Sequence, residues 1–320
     1  MACLILLAIC LLASLVLGAA EITPKTVYEA LTQFDNSTEH LIVRTVRLPR
    51  SLIAICVGAA LAVAGSLIQG ITQNPLASPS LLGINAGASF AVVLATLIFQ
   101  ENSLQVYALF AFLGAGITAA SVYILGSFGK GGLTPLNVIL AGAALTAFLA
   151  AMTSGILIVS QRTLDEIRFW LAGSVAGRDL KILGQVLPYF IIGLILALVL
   201  SKAVTTLSLG DSIAQGLGQS TELVKLSAGI SIILLAGTSV AIAGPISFIG
   251  LIVPHFARFW IGYDYRFILP YAALLGAILL LTADIAARSL FAPLELPVGL
   301  VMPLIGAPFF IYLARWQIKK

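Results

Sequence analysis

Residues 47–87 read RLPRSLIAICVGAALAVAGSLIQGITQNPLASPSLLGINAG, and this stretch decides the fold. Arg47 and Arg50 lie one helical turn apart and precede an apolar run long enough to cross a bilayer. A polar turn containing Pro75 and Pro79 follows, and a second apolar run starts at once. The stretch therefore predicts a charged anchor, a membrane helix, a tight turn and a second membrane helix.

The whole chain has the composition of a membrane protein. Of its 320 residues, 60% are hydrophobic and 9% are charged, and the mean hydropathy is +1.10. A soluble domain carries about 25% charged residues. The apolar runs are continuous and lack the alternating polarity of membrane β-strands, so we expect helices. The sequence predicts an all-α polytopic membrane protein, and its weak net charge of +4 without a basic cluster gives no indication of nucleic-acid binding.

Hydropathy predicts ten spans. The interval 226–262 is too long for one helix without extreme tilt, and Ala243-Gly244-Pro245 favours a hairpin there; nine spans is the alternative. The ten spans lie near residues 3–20, 51–72, 80–100, 104–126, 136–160, 184–206, 226–243, 246–262, 267–288 and 298–316.

An even number of spans puts both termini on one side, and the basic tail at residues 315–320 favours the cytoplasm. The other Lys and Arg residues do not follow the positive-inside rule. Those placed outside concentrate at residues 25–50 and 162–181. Either a partner surface holds them there, or the acidic residues in the same segments pair with them.

An internal repeat is visible. Residues 58–65, GAALAVAG, align without gaps with residues 237–244, GTSVAIAG, and Pro75 then aligns with Pro254. The copies lie five spans apart and would enter the membrane in opposite senses, as in many transporters. We expect one transmembrane domain over 1–320, with repeats at about 47–160 and 226–316. Small residues allow close helix packing, which we predict at Gly58, Gly65, Gly83, Gly87, Gly237 and Gly244.

Catalytic motifs are absent from the sequence. It contains no HExxH, GxSxG or GxxxxGK[ST] pattern, so we expect neither an enzyme nor a nucleotide-binding loop. We expect no metal site. The sequence places Cys3, Cys10 and Cys56 in apolar runs, so we expect them to be buried thiols. ATP-driven transport would then require a separate ATPase. A proton-coupled carrier using Asp284, paired with Arg288, is the alternative, and a non-transporting scaffold or receptor is a second.

Two segments between spans have patterns of their own. Residues 207–218 are amphipathic and bounded by glycines, and Asp211 favours the start of a short helix that could dock on an ATPase. On the outer side, Trp170 follows a charged run and fits an aromatic belt at the membrane boundary.

The chain resembles the FecCD family of ABC-transporter permeases, which import iron–siderophore complexes, haem and vitamin B12. The matching segments cover nearly the whole chain from Arg47 and occur in the family's order. They are RLPR (47–50), GAALAVAGSLIQGITQNPLASPSLLGINAGAS (58–89), ILAGAAL (139–145), FWLAGSVAG (169–177), LSLGDSIAQGLG (207–218), AIAGPISFIGLIVPHFAR (241–258), DYRFILPYAALLGAILLLTADIAAR (264–288) and ELPVGLVMPLIGAPFFIYLAR (295–315).

The resemblance implies ten helices, a second permease subunit, two cytoplasmic ATPase subunits that bind ATP and Mg, and an extracytoplasmic binding protein. It implies the bacterial cytoplasmic (inner) membrane as the location. It assigns roles to three groups of residues: docking of the binding protein to Arg47, Arg50 and Arg288; ATPase coupling to Leu209, Gly210, Asp211, Ala214, Leu217 and Gly218; and an inner gate to Thr134, Pro135, Leu136 and Asn137.

Two matters stay open at this point. The chelate can be ferric citrate, a catecholate, a hydroxamate, haem or cobalamin, because the binding protein makes most of that choice. The second permease can be an identical copy or a related chain.

Overall fold

The computed structural model describes residues 1–18, 20, 22–100, 103–128, 134–290 and 294–318, and these residues form helices without any strand. In chain order, the helices are α1 Ala2–Val16, α2 Pro24–Thr32, α3 Thr38–Leu41, α4 Leu48–Thr72, α5 Ile84–Phe99, α6 Leu104–Ser127, α7 Pro135–Val159, α8 Gln161–Leu171, α9 Leu180–Leu207, α10 Asp211–Gly216, α11 Thr221–Ala243, α12 Ile249–Ile261, α13 Tyr265–Ser289 and α14 Val298–Ile318. A π-helical segment, Ile42–Arg47, joins α3 to α4, and a 3₁₀ turn, Pro79–Leu82, precedes α5.

Ten of these helices correspond to the ten predicted spans. Six helical segments are long and apolar enough to cross a membrane: the continuous segment Thr38–Thr72, α6, α7, α9, α11 and α13. Four shorter apolar helices, α1, α5, α12 and α14, match the other predicted spans. The multi-pass, all-helical architecture is therefore confirmed.

Contacts between the connecting segments show that successive spans alternate in direction. At the end that we call inner, Gln73 donates a hydrogen bond to the carbonyl of Leu207 (3.2 Å). At the opposite, outer end, Arg162 donates to the side chain of Gln100 (3.0 Å). Four spans separate the segments of the first pair and two spans separate those of the second; both numbers are even, as they must be for segments at the same end.

The hairpin at Gly244-Pro245 is also visible, and the nine-span alternative is wrong. Ser174, at the outer end, donates its backbone N–H to the carbonyl of Ala243 (2.7 Å). After α12 the chain is at the inner end again, where the backbone N–H of Tyr265 donates to Thr205 Oγ1 (2.9 Å). In the segment 244–248 between the two helices, Gly244 and Ile246 are buried against other parts of the protein, whereas Ser247 is exposed. Protein contacts of this kind allow irregular backbone within a membrane.

Helix α4 forms the centre of the bundle. In its most apolar window 83% of the residues are buried, against 17% for α7. It packs against α9, α11, α12 and α13. A Cβ at Gly58 would overlap the carbonyl of Gly276 in α13, and one at Gly65 would overlap the backbone of Gly250 in α12. The small residues of the opening stretch therefore allow direct backbone contact.

The other four glycines of the packing prediction have different surroundings. A Cβ at Gly87 would overlap Thr118 and the Gly114 carbonyl in α6. At Gly237 it would lie 3.2 Å from the Phe112 ring and 3.9 Å from Cβ of Ala115. Gly83 (φ 69°) and Gly244 (φ 72°) occupy backbone conformations that disfavour other residues, at the start of α5 and the end of α11.

Helices α4 and α11 cross the membrane in opposite directions, as the internal repeat requires. Their aligned positions nevertheless differ in structure: Gly65 lies inside α4, whereas α11 ends before Gly244. A division into repeats at 47–160 and 226–316 stays a prediction.

The aromatic-belt expectation for Trp170 is wrong, because this side chain is 3% exposed and packs edge-on against Tyr107.

Candidate functional site

The outer end contains a buried cluster of charges that joins α4, α13 and the segment before α14. Arg50 contacts both carboxylate oxygens of Asp284, through Nε at 2.9 Å and Nη2 at 2.9 Å, and its Nη1 donates to Glu295 at 2.6 Å. Arg50 and Asp284 are 5% and 1% exposed. A bidentate guanidinium–carboxylate pair in such surroundings fixes both partners in orientation as well as distance.

Two further arginines join this cluster to the C-terminal end of α1. Arg47 Nη1 donates to the carbonyls of Leu15 (2.7 Å) and Val16 (2.6 Å), and Arg288 donates to the carbonyl of Ser14 (2.8 Å). The last carbonyls of a helix lack partners within it and carry partial negative charge. Arg47 and Arg288 therefore compensate the end of α1, which explains how three arginines coexist with the two carboxylates that the described residues place in this cluster.

All three arginines that the resemblance assigns to docking are thus buried and bonded within the chain. Their exposed fractions are 4% for Arg47, 5% for Arg50 and 2% for Arg288. The expected Asp284–Arg288 pair is present but long, at 3.8 Å, and Arg50 is the closer partner. A carboxylate from outside can reach Arg50 only by displacing an internal partner, and Glu295, whose side chain is 39% exposed, is the accessible one.

A cavity of about 390 Å³ with both polar and apolar walls opens beside this cluster. Tyr107, Trp170, Arg178 and Glu295 contribute to its walls. Burial lowers the pKa of Arg178 to about 10, which leaves the guanidinium charged at neutral pH. Glu295 thus links the cavity to the buried charges.

The inner end contains the residues that the resemblance assigns to a gate. Thr134 caps α7, its hydroxyl accepting a hydrogen bond from the backbone N–H of Asn137 (3.2 Å), and Leu136 is 63% exposed. The side chain of Pro135 lies outside the described residues. Thr134 also lines a largely apolar cavity of about 260 Å³ between α4, α6, α7 and α11, whose polar edge includes Lys225.

The predicted short helix is present at the inner end as α10. It is bounded by Gly210 and Gly218, which have φ values of 129° and 80°. Ala214 is fully buried against the membrane helices, whereas Leu209 (62%) and Leu217 (71%) are exposed. The segment therefore presents apolar side chains outward, away from its own bundle.

The geometry disfavours Asp284 as a proton-carrying group. Both of its oxygens are engaged by Arg50, and the residue is almost completely buried. Among the described residues, no group of three His, Cys, Asp or Glu side chains is placed to hold a metal ion.

Comparisons with known proteins agree with this architecture. A model of the FecCD transport family matches residues 6–316. The chain is 48% identical to YfiZ of Bacillus subtilis (strain 168), named a siderophore transport system permease protein, over 97% of this chain and 93% of that one. It is 47% identical to FhuB of the same organism, named an iron(3+)-hydroxamate import system permease protein, over 94% of this chain and 79% of that one.

A solved structure extends the similarity to the fold. It is described as an inward-facing conformation of a metal-chelate type ABC transporter, and it superposes with a TM-score of 0.84 at 33% identity. The match covers 98% of this chain and 97% of that chain. The helix arrangement described above is therefore that of a known transporter permease.

Proposed function

This chain belongs to the FecCD transport family, and we propose that, as the permease subunit of an ABC importer in the bacterial cytoplasmic membrane, it carries a ferric siderophore into the cell. The observation that carries the proposal is the 48% identity to a siderophore permease along almost the whole chain. The proposal names ferric siderophores as a class and no single chelate, because relatives of nearly equal identity are named for different iron chelates.

A separate ATPase supplies the energy in this proposal, because the sequence has no phosphate-binding loop. Two copies of that subunit bind ATP and Mg and contact the segment Leu209–Gly218 at the inner end. The support is the exposure of Leu209 and Leu217, since apolar side chains that face away from their own bundle are typical of a partner surface. Gly210 and Gly218 let the segment turn at both ends.

A second permease subunit, identical or related, pairs with the sparsely buried side of this one. Helix α7 has little cover within the chain, and Leu140 and Phe148 are each 59% exposed. The substrate passes between the two subunits, and residues Thr134–Asn137 at the start of α7 narrow the inner exit. A wide pathway of weakly polar residues suits a large chelate, which needs few specific ligands from the permease.

An extracytoplasmic binding protein delivers the chelate at the outer end. Docking through Arg47, Arg50 and Arg288 is compatible with their burial only if a carboxylate of the binding protein exchanges with Glu295 on Arg50. The other two guanidinium groups then act by holding α1 and α13 in place.

Purification and reconstitution test this function. The tagged chain, isolated from its native cells in mild detergent, should bring with it an ATPase containing GxxxxGK[ST]. Proteoliposomes of that complex should import ferric hydroxamate, catecholate or citrate only with ATP and the binding protein. Leu217→Glu should lose the ATPase, whereas Leu41→Glu, a control at the outer end, should retain it. Uptake that persists without any ATPase would overturn the proposal.

A further inference from the structure

The connection of α10 to the rest of the chain is unusual. Its covalent links pass through Gly210 and Gly218, both at positive φ, and a Cβ at Gly218 would meet nothing within 4 Å. These links resist rotation weakly, because glycine has wide conformational freedom. Side-chain contacts therefore help to fix the orientation of α10 relative to the membrane helices, beside one backbone hydrogen bond from Gly210 N–H to the carbonyl of Leu207 (3.1 Å).

Two kinds of side-chain contact join α10 to the bundle: the buried methyl group of Ala214 and one ion pair. Lys225 Nζ lies 2.7 Å from Asp211 Oδ2, and it is the one ion pair between α10 and a membrane helix in the described part of the chain. Two neutral hydrogen bonds lie nearby: Gln215 of α10 donates to Thr221 Oγ1 (3.3 Å), and Gln219, which follows Gly218, donates to the carbonyl of Ala203 (3.0 Å). A charge-assisted bond is shorter and stronger than such neutral bonds.

The surroundings of Lys225 direct it to this partner. Its side chain is 13% exposed and lines the apolar inner cavity, so the ammonium group has few alternatives to the carboxylate. Water screens a partly buried pair of this kind less than a pair on the surface. Glu222, one turn earlier on α11, is exposed and forms no ion pair among the described residues.

We propose that the Asp211–Lys225 ion pair makes α10 and α11 move as one unit, so that these two residues couple ATP hydrolysis to movement of the transport pathway. The inference rests on the proposed function. Helix α11 packs against α4, α6 and α9, so a displacement received by α10 passes directly to the centre of the bundle. Lys225 also reaches the cavity beside Thr134, at the proposed gate. Both act as positioning residues.

A double-mutant cycle tests the coupling. The complex is reconstituted with loaded binding protein, and the number of ferric siderophore molecules imported per ATP hydrolysed is measured. Lys225→Met keeps the apolar stem and removes the charge, and Asp211→Asn removes the other charge. We expect each to lower the ratio about fivefold and the double variant to lower it no further, because one interaction is lost in all three. Lys225→Arg should keep at least half of the wild-type ratio.

The controls are Lys202→Met, an exposed lysine on α9, and Glu222→Gln. If a variant reduces import and hydrolysis equally, as poor assembly would, the ratio of the two stays at the wild-type value. An unchanged ratio would contradict the inference. So would losses that multiply in the double variant. If the wild-type complex shows no ATP-driven import, the proposed function itself fails. If the wild-type complex imports but the variants keep its ratio of import to hydrolysis, only the inference about the ion pair fails.

Discussion

The two ends of the bundle use ion pairs in opposite ways. At the outer end, Arg50 and Asp284 are 234 residues apart in sequence, almost wholly buried, and joined by two short hydrogen bonds. At the inner end, Lys225 and Asp211 are 14 residues apart, and the carboxylate is 43% exposed. The outer pair joins two membrane helices, whereas the inner pair joins one membrane helix to a short segment between glycines.

This difference indicates a rigid end and a movable end. Separating buried partners leaves charges without water, so the outer cluster resists local opening. The inner pair is partly hydrated and therefore the weaker of the two, and it joins only the short α10 to α11. A transporter that receives force from an ATPase at one face benefits from such an arrangement, since α10 and α11 can move together at the inner end while the outer cluster keeps α1, α4 and α13 together.

The largest expected effect is at the outer cluster. Asp284→Asn keeps the shape of the side chain but leaves Arg50 and Arg288 buried without their shared carboxylate. We expect the free energy of unfolding to fall by about 3–5 kcal/mol. Thermal unfolding of the purified chain in detergent measures this.

Glu295→Gln is the matched control for that variant, because the Glu295 side chain is 39% exposed and pairs with Arg50 through a single nitrogen, Nη1. Its expected cost is about 1 kcal/mol or less. Equal losses in the two variants would mean that burial does not set the strength of the outer cluster.

A smaller effect is expected where helix backbones touch. Gly58→Ala places a methyl group against the carbonyl of Gly276, and overpacking of this kind costs about 1–3 kcal/mol. Gly229→Ala, near the inner end of α11, meets nothing within 4 Å and should be neutral. Melting temperatures of the two variants, measured side by side, test whether close packing is confined to the centre. Two indistinguishable curves would contradict that view.

Much of this fold could be predicted because membrane spans carry a local signal. Apolar length located the ten helices, and Gly244-Pro245 located the hairpin, since both depend on residues adjacent in sequence. The glycine spacing around Gly58 likewise indicated close packing, although its partner, Gly276, could not be identified from the spacing alone.

The outer cluster could not be predicted in the same way. Arg50, Asp284 and Glu295 meet only after helices distant in sequence have packed, and each lies beside residues that give no hint of the others. The carbonyls at the end of α1 that accept from Arg47 and Arg288 belong to the backbone, so no residue type in the sequence indicates them. The sequence did indicate the Asp284–Arg288 pair, one turn apart, and the resemblance grouped the three arginines, but it assigned them to a partner surface and gave no sign of the internal partners of Arg50.

The smallest effect is expected from an exposed pair at the same outer end. Arg168 lies 3.7 Å from Asp165 on α8, and the two side chains are 58% and 56% exposed. Water solvates both ions before and after separation, so Arg168→Gln should change the free energy of unfolding by at most about 0.5 kcal/mol. The melting temperature should stay close to that of the wild type. A loss approaching that of Asp284→Asn would show that the outer end derives its rigidity from its charges in general, whereas the buried geometry of Arg50 and Asp284 predicts that this one pair carries most of it.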